Sequence, residues 1–434
     1  MTHENKFGMF IHWGIYALTE LQDQAIIRYE MDRGEYEALQ HQFNPVNYDP
    51  ESWVLLAKNA GMKYICFTTK HHDGFCMWDT KYTDYSIMNT PYGKDVLKML
   101  ADACEKHGML LGLYYSNPDW NHPLGYNPNS SHQWKAVDKE TVDTEGYREY
   151  IKNQITELLT NYGKIDYLWF DGCGSEGHEY DHARIINAIC EMQPEILTFC
   201  DPEWSPGVRW IGNEDGYASL YNPLVVSKTD FSELSKEEQT LSQAMFLPSE
   251  CDCKIRDTWF YDNNEDTIKT VDELFGMYEA SVGNGSNFLI NIGPDNHGLL
   301  CDADASRLLE LGEKIKSLYA SKRNYSAPTR DGNVYTLIHN EVSCEDWKIP
   351  SKSRLVNCMS IKEDLTNGQK IESFRIYAYL PYYKHKKILV FEGRTVGHRK
   401  LCRFPAVRAS KFELEITEFQ GDHEIKEIEA LFID

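Results

Sequence analysis

The run IDYLWFDG (165–172) carries apolar residues straight into Asp171. A carboxylate at the end of an apolar strand is costly unless it is paired or used. A second acid, Glu214, closes VRWIGNE (208–214). Two carboxylates at one mouth suit cleavage of a glycosidic bond: one attacks the anomeric carbon, and the other protonates the leaving oxygen. Trp169, two residues before Asp171 on an alternating strand, shares its face. The acid/base must cycle between protonated and ionised forms, which an apolar neighbour such as Trp210 or Trp169 assists. The plain alternative for each acid is a loop cap or an ion pair with Lys or Arg.

Histidines recur at similar positions. His12 ends the first apolar run in FIHWG, and His71 and His72 open HHDGF. Three histidines can ligate a metal. Adjacent histidines on extended backbone diverge, however, and no H-E-x-x-H or cysteine partner supports a zinc site. Imidazoles that hydrogen-bond sugar hydroxyls fit better, so no metal is expected; the alternative is a core position for each ring. GNGSN (283–287) precedes a strand-like run, whereas a phosphate loop precedes a helix. SPGVRW lacks the G-x-S-x-G pattern of a nucleophile elbow.

The elements that position these groups alternate between strand and helix. Strand-like runs are 6–14, 63–70, 109–116, 165–172, 196–201, 208–214, 244–250 and 287–294. Helical spacing marks 49–61, 93–108, 145–163, 181–193, 270–285 and 302–320, with Asp49 as an N-cap, Pro50 in the first turn and Gly61 as a stop for the first of them. Parallel strands need crossover connections, and helices supply them. The fold class is therefore α/β, a (β/α)8 TIM-like barrel, with an open doubly wound sheet as the alternative. His12, His71, Ser116, Asp171, Glu214 and Glu250 all fall at or after strand ends, where barrel enzymes place their chemistry. Beyond SAPTRDG (326–332) the pattern changes to short alternating strands between turns. The expected division is a catalytic barrel over 1–325 and an all-β sandwich over 326–434.

Bulk properties narrow the partners. Acids outnumber bases 67 to 44, for a formal charge of −23, and no basic run suggests nucleic acid or anionic lipid as a partner. Aromatic residues make up 13% of the chain, which suits stacking on sugar rings but also serves ordinary cores. No apolar run reaches membrane-spanning length, and the N-terminal residues do not read as a signal peptide. The twelve cysteines are scattered without a C-x-x-C pair, and Cys251 and Cys253 are a weak metal motif. A cytoplasmic location follows as an expectation.

KFGMFIHWG, KYICFTTKHHDGFCMWDTKYTDYS, LGLYYS, YLWFDG and NFLINIGPDNHG, in that order, resemble the motifs of glycoside hydrolase family 29, the α-L-fucosidases. The resemblance implies a retaining mechanism with Asp171 as nucleophile and no cofactor. It implies that His12, Trp13, His71, His72 and Trp169 surround the fucose with one of Tyr114 and Tyr115, and that Phe10 and Trp169 meet its methyl group. RWIGNEDG resembles the segment that carries the acid/base in the branch acting on α-1,3 and α-1,4 fucosides, which points to Glu214. Glu250 is the rival, and Asp201 and Glu203 are further candidates. Arg256 and Trp259 fall where the family has groups near the reaction centre, and Arg256 is carried as substrate-binding. The tail resembles a galactose-binding-like, discoidin-type sandwich. The expected function is exo-hydrolysis of terminal α-L-fucose from oligosaccharides, with Lewis-type α-1,3/1,4 linkages favoured. A broad-specificity fucosidase, a related galactosidase or hexosaminidase, and a non-catalytic carbohydrate-binding protein are the alternatives.

Overall fold

A computed structural model of the chain describes residues 6–21, 25–124, 144–171, 181–199, 207–228, 240–340, 355–380 and 387–433. Eight parallel strands close a barrel: β1 (Phe7–Ile11), β2 (Tyr64–Lys70), β3 (Leu110–Ser116), β4 (Tyr167–Asp171), β5 (Leu197–Phe199), β6 (Gly207–Trp210), β9 (Ser249–Lys254) and β10 (Asn287–Ile292). A hairpin of β7 (Val225–Lys228) and β8 (Thr240–Phe246) stands outside it. Most barrel strands are buried on both faces, so they read as near-continuous apolar runs. Alternation still divides them. Phe10, Tyr64, Tyr114, Trp169 and Phe199 form an inner cluster, while Met9, Ile11, Tyr115 and Phe170 join the layer between barrel and helices.

The helices are α1 (Ala25–Arg28), α2 (Arg33–Glu37), α3 (Pro50–Asn59), α4 (Val96–His107), α5 (Thr144–Asn161), α6 (His182–Met192), α7 (Val271–Ser281) and α8 (Asp302–Ala320). In α3 the Asp49 carboxylate caps the Glu51 N–H, Pro50 occupies the first turn, and Gly61 lies just beyond at φ +84°. Among the described residues no helix is long and apolar enough to cross a membrane.

The seventh barrel strand is not the 244–250 run read from sequence. That run straddles the end of β8 and the start of β9, whose own sequence is SECDCK. The strand was hidden because its inward residues are charged: Glu250, Asp252 and Lys254 face the barrel, and Cys251 and Cys253 face out. Glu250 is consequently near the N-terminal end of its strand, beneath the mouth. The crossing from β6 to β9 uses no helix among the described residues. Residues 211–224 descend the barrel wall, bonded through Ala218 N–H to Ala280 O (3.1 Å) and Asn222 Nδ2 to Ser249 Oγ (2.9 Å).

After α8 the chain forms two antiparallel sheets. β11 (Thr329–Asp331), β12 (Val334–Ile338), β14 (Ile371–Tyr379), β15 (Lys387–Arg394) and β17 (Lys411–Phe419) make one, in the order β11-β12-β17-β14-β15. β13 (Leu355–Glu363), β16 (Lys400–Arg408) and β18 (Ile425–Leu431) make the other, in the order β16-β13-β18. Their facing residues, among them Leu337, Met359, Ile376, Cys402, Leu414 and Ile428, share one core. Polar bonds tie this unit to the barrel wall, as from Lys400 Nζ to Leu220 O at 2.7 Å and from Asn222 N–H to Thr395 Oγ1 at 3.2 Å.

Candidate active site

The C-terminal ends of β1 to β4 bring the expected groups together. β3 and β4 pair with Tyr114 opposite Trp169 and Ser116 opposite Asp171. All four side chains therefore share the inner face. The Tyr114 hydroxyl donates to Asp171 Oδ2 at 2.6 Å, and His72 Nε2 faces the same oxygen at 3.5 Å. His72 Nδ1 lies 2.6 Å from Ser116 Oγ, whose own proton goes to Pro118 O at 2.7 Å. The serine can then only accept, so His72 Nδ1 carries a hydrogen. Asp171 is itself partly buried, with 15% of its side chain exposed.

His71 and His72 do not diverge. Their ring centroids are 4.4 Å apart, because the chain leaves extended geometry there. A turn closed by Gly74 N–H to His71 O (3.0 Å) folds both rings inward. Gly74 sits at φ +80°, and a Cβ on it would come within 2.2 Å of Asp119 Oδ1, so glycine is required. One residue earlier, a register shift between Thr68 and Lys70 turns Lys70 outward to a buried ion pair with Asp119 at 3.3 Å. Ligand atoms of His71, His72 and Asp171 lie within 4.8 Å of one another, a spacing that two imidazoles and a carboxylate also use for a divalent cation. The same groups can bind sugar hydroxyls, and glycoside hydrolysis by paired carboxylates needs no ion.

His12 completes the inner ring. Asn291 Nδ2 donates to Trp259 O at 2.6 Å, so its Oδ1 must accept from His12 Nδ1 at 2.7 Å. That leaves His12 Nε2 as an acceptor. Burial drives the His12 pKa down to about 3, which the Asn291 bond and the Asp171 charge only partly offset. Burial likewise pushes His71 well below its ordinary value, and its ring stacks on Tyr114 at 5.2 Å. Phe10 touches His12, Tyr114, Trp169 and Trp259, with centroids 4.5–6.1 Å away.

Glu214 lies in the loop after β6, four residues past the strand. It pairs with Lys254 Nζ at 2.9 Å and accepts from Trp259 Nε1 at 3.2 Å. Its side chain is 48% exposed. The Trp259 ring lies 5.0 Å from His12, and His12 lies 5.5 Å from Tyr114. A run of touching rings thus joins the Glu214 side of the mouth to Asp171. Below Glu214, burial and the Glu214 charge push Asp252 well above the usual carboxylate range, while Trp210 Nε1 donates to it at 2.7 Å.

Several expectations need correction. Glu250 is fully buried and accepts from Tyr64, Tyr167 and Trp169 at 2.8, 2.9 and 3.1 Å. It anchors Trp169 from below and does not stand at the mouth. Trp13 follows an inward residue and so points outward, into a cluster with Phe43, Tyr48 and Trp53, with its indole N–H on Asp295 O. Tyr115 also faces outward, bonded to Lys70 and Gln154, which leaves Tyr114 as the inner tyrosine. Arg256 is committed to Asp304 and Asp262 and ties the end of β9 to α8. Trp259, not Arg256, reaches His12 and Glu214. Trp210 and Trp169 bond Asp252 and Glu250, and it is Trp259 that touches Glu214. Lys254, Asn291 and Phe260, whose ring touches His12 and His71, were missed; Asn291 in NFLINIG could have been found by strand parity. Asp201 and Glu203 lie outside the described residues.

A parallel barrel with carboxylates, imidazoles and aromatic rings at the C-terminal mouth defines a barrel glycoside hydrolase. Comparison with known proteins makes this specific: the α-L-fucosidase family matches residues 2–317, and the chain belongs to that family. It is 30% identical to α-L-fucosidase 1 of Arabidopsis thaliana, over 94% of this chain and 81% of that protein. A glycoside hydrolase 29 family member from an unknown rumen bacterium is 26% identical, with a TM-score of 0.80, covering 99% of this chain and 75% of that one. A Ruminococcus gnavus fucosidase crystallised with fucose shares the fold, with a TM-score of 0.79 at 24% identity, over 99% of this chain and 93% of its own. The chain is an α-L-fucosidase, a glycoside hydrolase.

Two results test this description. The folded-state pKa of His12 lies below its unfolded value of about 6.5, so the unfolded chain binds the extra proton between the two and stability falls as pH falls through that window. Between pH 6.5 and 4.5, His12→Asn should lose ~2–3 kcal/mol less stability than the parent, read from urea midpoints. Arg256→Met should lower stability by about 3–5 kcal/mol, because buried Asp304 loses its partner, while the KM for an aryl α-L-fucoside stays within about twofold.

Proposed function

We propose that the chain is a retaining exo-α-L-fucosidase in which Asp171 attacks the anomeric carbon and Glu214 is the acid/base. The observation that carries this reading is the Asp171 carboxylate held on Oδ2 by Tyr114 and His72, beside a ring of inward histidines. A nucleophile fixed by a short hydrogen bond does not have to be ordered during the reaction. His12 presents a bare ring nitrogen, suited to a sugar hydroxyl that donates. Phe10 and Trp169, 5.4 Å apart, form the apolar wall for the C6 methyl group. That methyl distinguishes fucose from sugars bearing a hydroxymethyl group there.

In the first step Asp171 bonds to the anomeric carbon as the bond from that carbon to the glycosidic oxygen breaks, and the oxygen takes the proton from Glu214 and leaves as the alcohol of the remaining glycan. In the second, Glu214 removes a proton from water, which attacks the fucosyl-enzyme and releases L-fucose with its configuration kept. The half-exposed position of Glu214 allows that water to reach it. Lys254 and the Trp259 indole hold the carboxylate at the rim between these steps. The resemblance of RWIGNEDG favours α-1,3/1,4-fucosides of branched, Lewis-type glycans.

Asp171→Ala should lower turnover of an aryl α-L-fucoside by at least about 10³-fold. Glu214→Ala should be slowed on unactivated fucosides, and added azide should restore turnover through a fucosyl azide of retained configuration. Unimpaired Asp171→Ala sinks the nucleophile assignment, and azide without effect sinks that of Glu214. Lewis-type and α-1,2-fucosylated trisaccharides assayed side by side decide linkage: equal rates place the enzyme in the broad-specificity class.

A further inference from the structure

The opposite end of the barrel carries a second concentration of charge. A crevice of about 460 Å³ lies where the starts of β1 and β2, helices α3, α7 and α8, and the three-stranded sheet of the sandwich meet. Six cations line it: Lys6, Lys63, Lys316, Lys362, Arg399 and Lys426, joined by His398. Neither Asp nor Glu lines it among the described residues, in a chain where acids outnumber bases 67 to 44. A smaller hollow of about 190 Å³ shares Lys362, His398 and Lys426 and continues along the sandwich past Glu363 and Asp364.

The wall is built rather than merely decorated. Lys6 is buried with Nζ on Gly285 O at 3.0 Å. Arg399 lies over the Tyr319 ring at 4.4 Å and donates to Ser360 Oγ at 3.3 Å. The Tyr319 and Tyr278 hydroxyls bond each other at 3.0 Å, and Phe7 meets Tyr278 edge to face behind them, so the aromatic side of the crevice is backed by buried rings. At least four of the cations have carboxylate neighbours outside the lining: Lys362 pairs with Glu427 at 2.8 Å, a carboxylate that Arg399 also faces, Lys316 pairs with Glu313 at 3.2 Å, and Asp364 lies near Lys426. Like charges drawn from six separate parts of the chain repel one another, and a multiply charged anion between them relieves that repulsion.

We propose that this crevice binds an organic polyanion, a compound carrying phosphoryl or sulfate groups on a ring body. The cations take the oxyanions, and the ring lies along the stacked Arg399 and Tyr319 side chains. Because barrel and sandwich both supply cations, the bound anion ties the two together. It sits at the far end of the barrel from Asp171, so it does not compete with the fucoside.

The test uses the intact chain and follows thermal unfolding with 1 mM metal-free ADP, with 1 mM trisulfated heparin disaccharide, and with NaCl at matched ionic strength. One or both polyanions should raise Tm by about 3–6 °C over the NaCl control. A response to ADP assigns phosphate esters, one to the disaccharide assigns sulfate esters, and one to both assigns the shared oxyanion chemistry. The double variant K63E/K316E removes two exposed cations and should weaken the measured Kd at least about tenfold while fucoside turnover is unchanged; K63Q/K316Q serves if charge reversal impairs folding. No shift beyond the NaCl control, or a shift that survives both double variants, overturns the proposal.

Discussion

The site depends on the register between β3 and β4. With Tyr114 opposite Trp169 and Ser116 opposite Asp171, one inner face receives an aromatic floor, a hydroxyl aimed at the carboxylate, and the serine that fixes His72. A slip of β4 by one residue would send Phe170 inward and Asp171 into the helix layer. That register is enforced from both sides. The outer residues Tyr115 and Phe170 belong to the large core under the helices, and the inner residues Tyr114 and Trp169 stack on each other at 5.4 Å. The Asp171 carboxylate is thus held by packing that extends well beyond its own hydrogen bonds.

Beneath this floor the barrel buries charge in order. Along β9 the inward residues run Glu250, Asp252, Lys254 from the interior to the mouth. Each has a partner of a different kind. Glu250 accepts from two phenols and an indole, Asp252 accepts from Trp210, and Lys254 pairs with Glu214. Burial pushes the Glu250 pKa up, and the bonds from Tyr64, Tyr167 and Trp169 oppose that shift. Asp252, with burial and the Glu214 charge against it, is the acid in this row most strongly pushed toward its neutral form. The row links the anchoring of Trp169 to the seating of Glu214 along a single strand.

Much of this was legible in the sequence. The alternation of strands and helices, the second all-β unit, and the shared face of Trp169 and Asp171 all follow from spacing. What escaped has physical causes. LGLYYS is buried on both faces, so polarity could not say which tyrosine turns inward, and only pairing with β4 decides it. Trp13 could have been excluded, since it cannot share a face with His12 on one strand. SECDCK hid a barrel strand because its buried face is charged. His71 and His72 converge through a turn that depends on Gly74, which extended-strand reasoning cannot anticipate. Arg256 and Trp259 are three residues apart in a segment without regular structure, where no periodicity reveals which one turns toward the site.

The most direct measurement is to trap the intermediate. The enzyme is incubated with 2-deoxy-2-fluoro-L-fucosyl fluoride, and peptide mass mapping locates the label. The expected result is one fluorofucosyl group per chain, carried by Asp171 within the IDYLWFDG peptide. A label on another residue, or an unlabelled enzyme that releases fucose of inverted configuration, contradicts the assignment of Asp171 as the group that attacks the sugar.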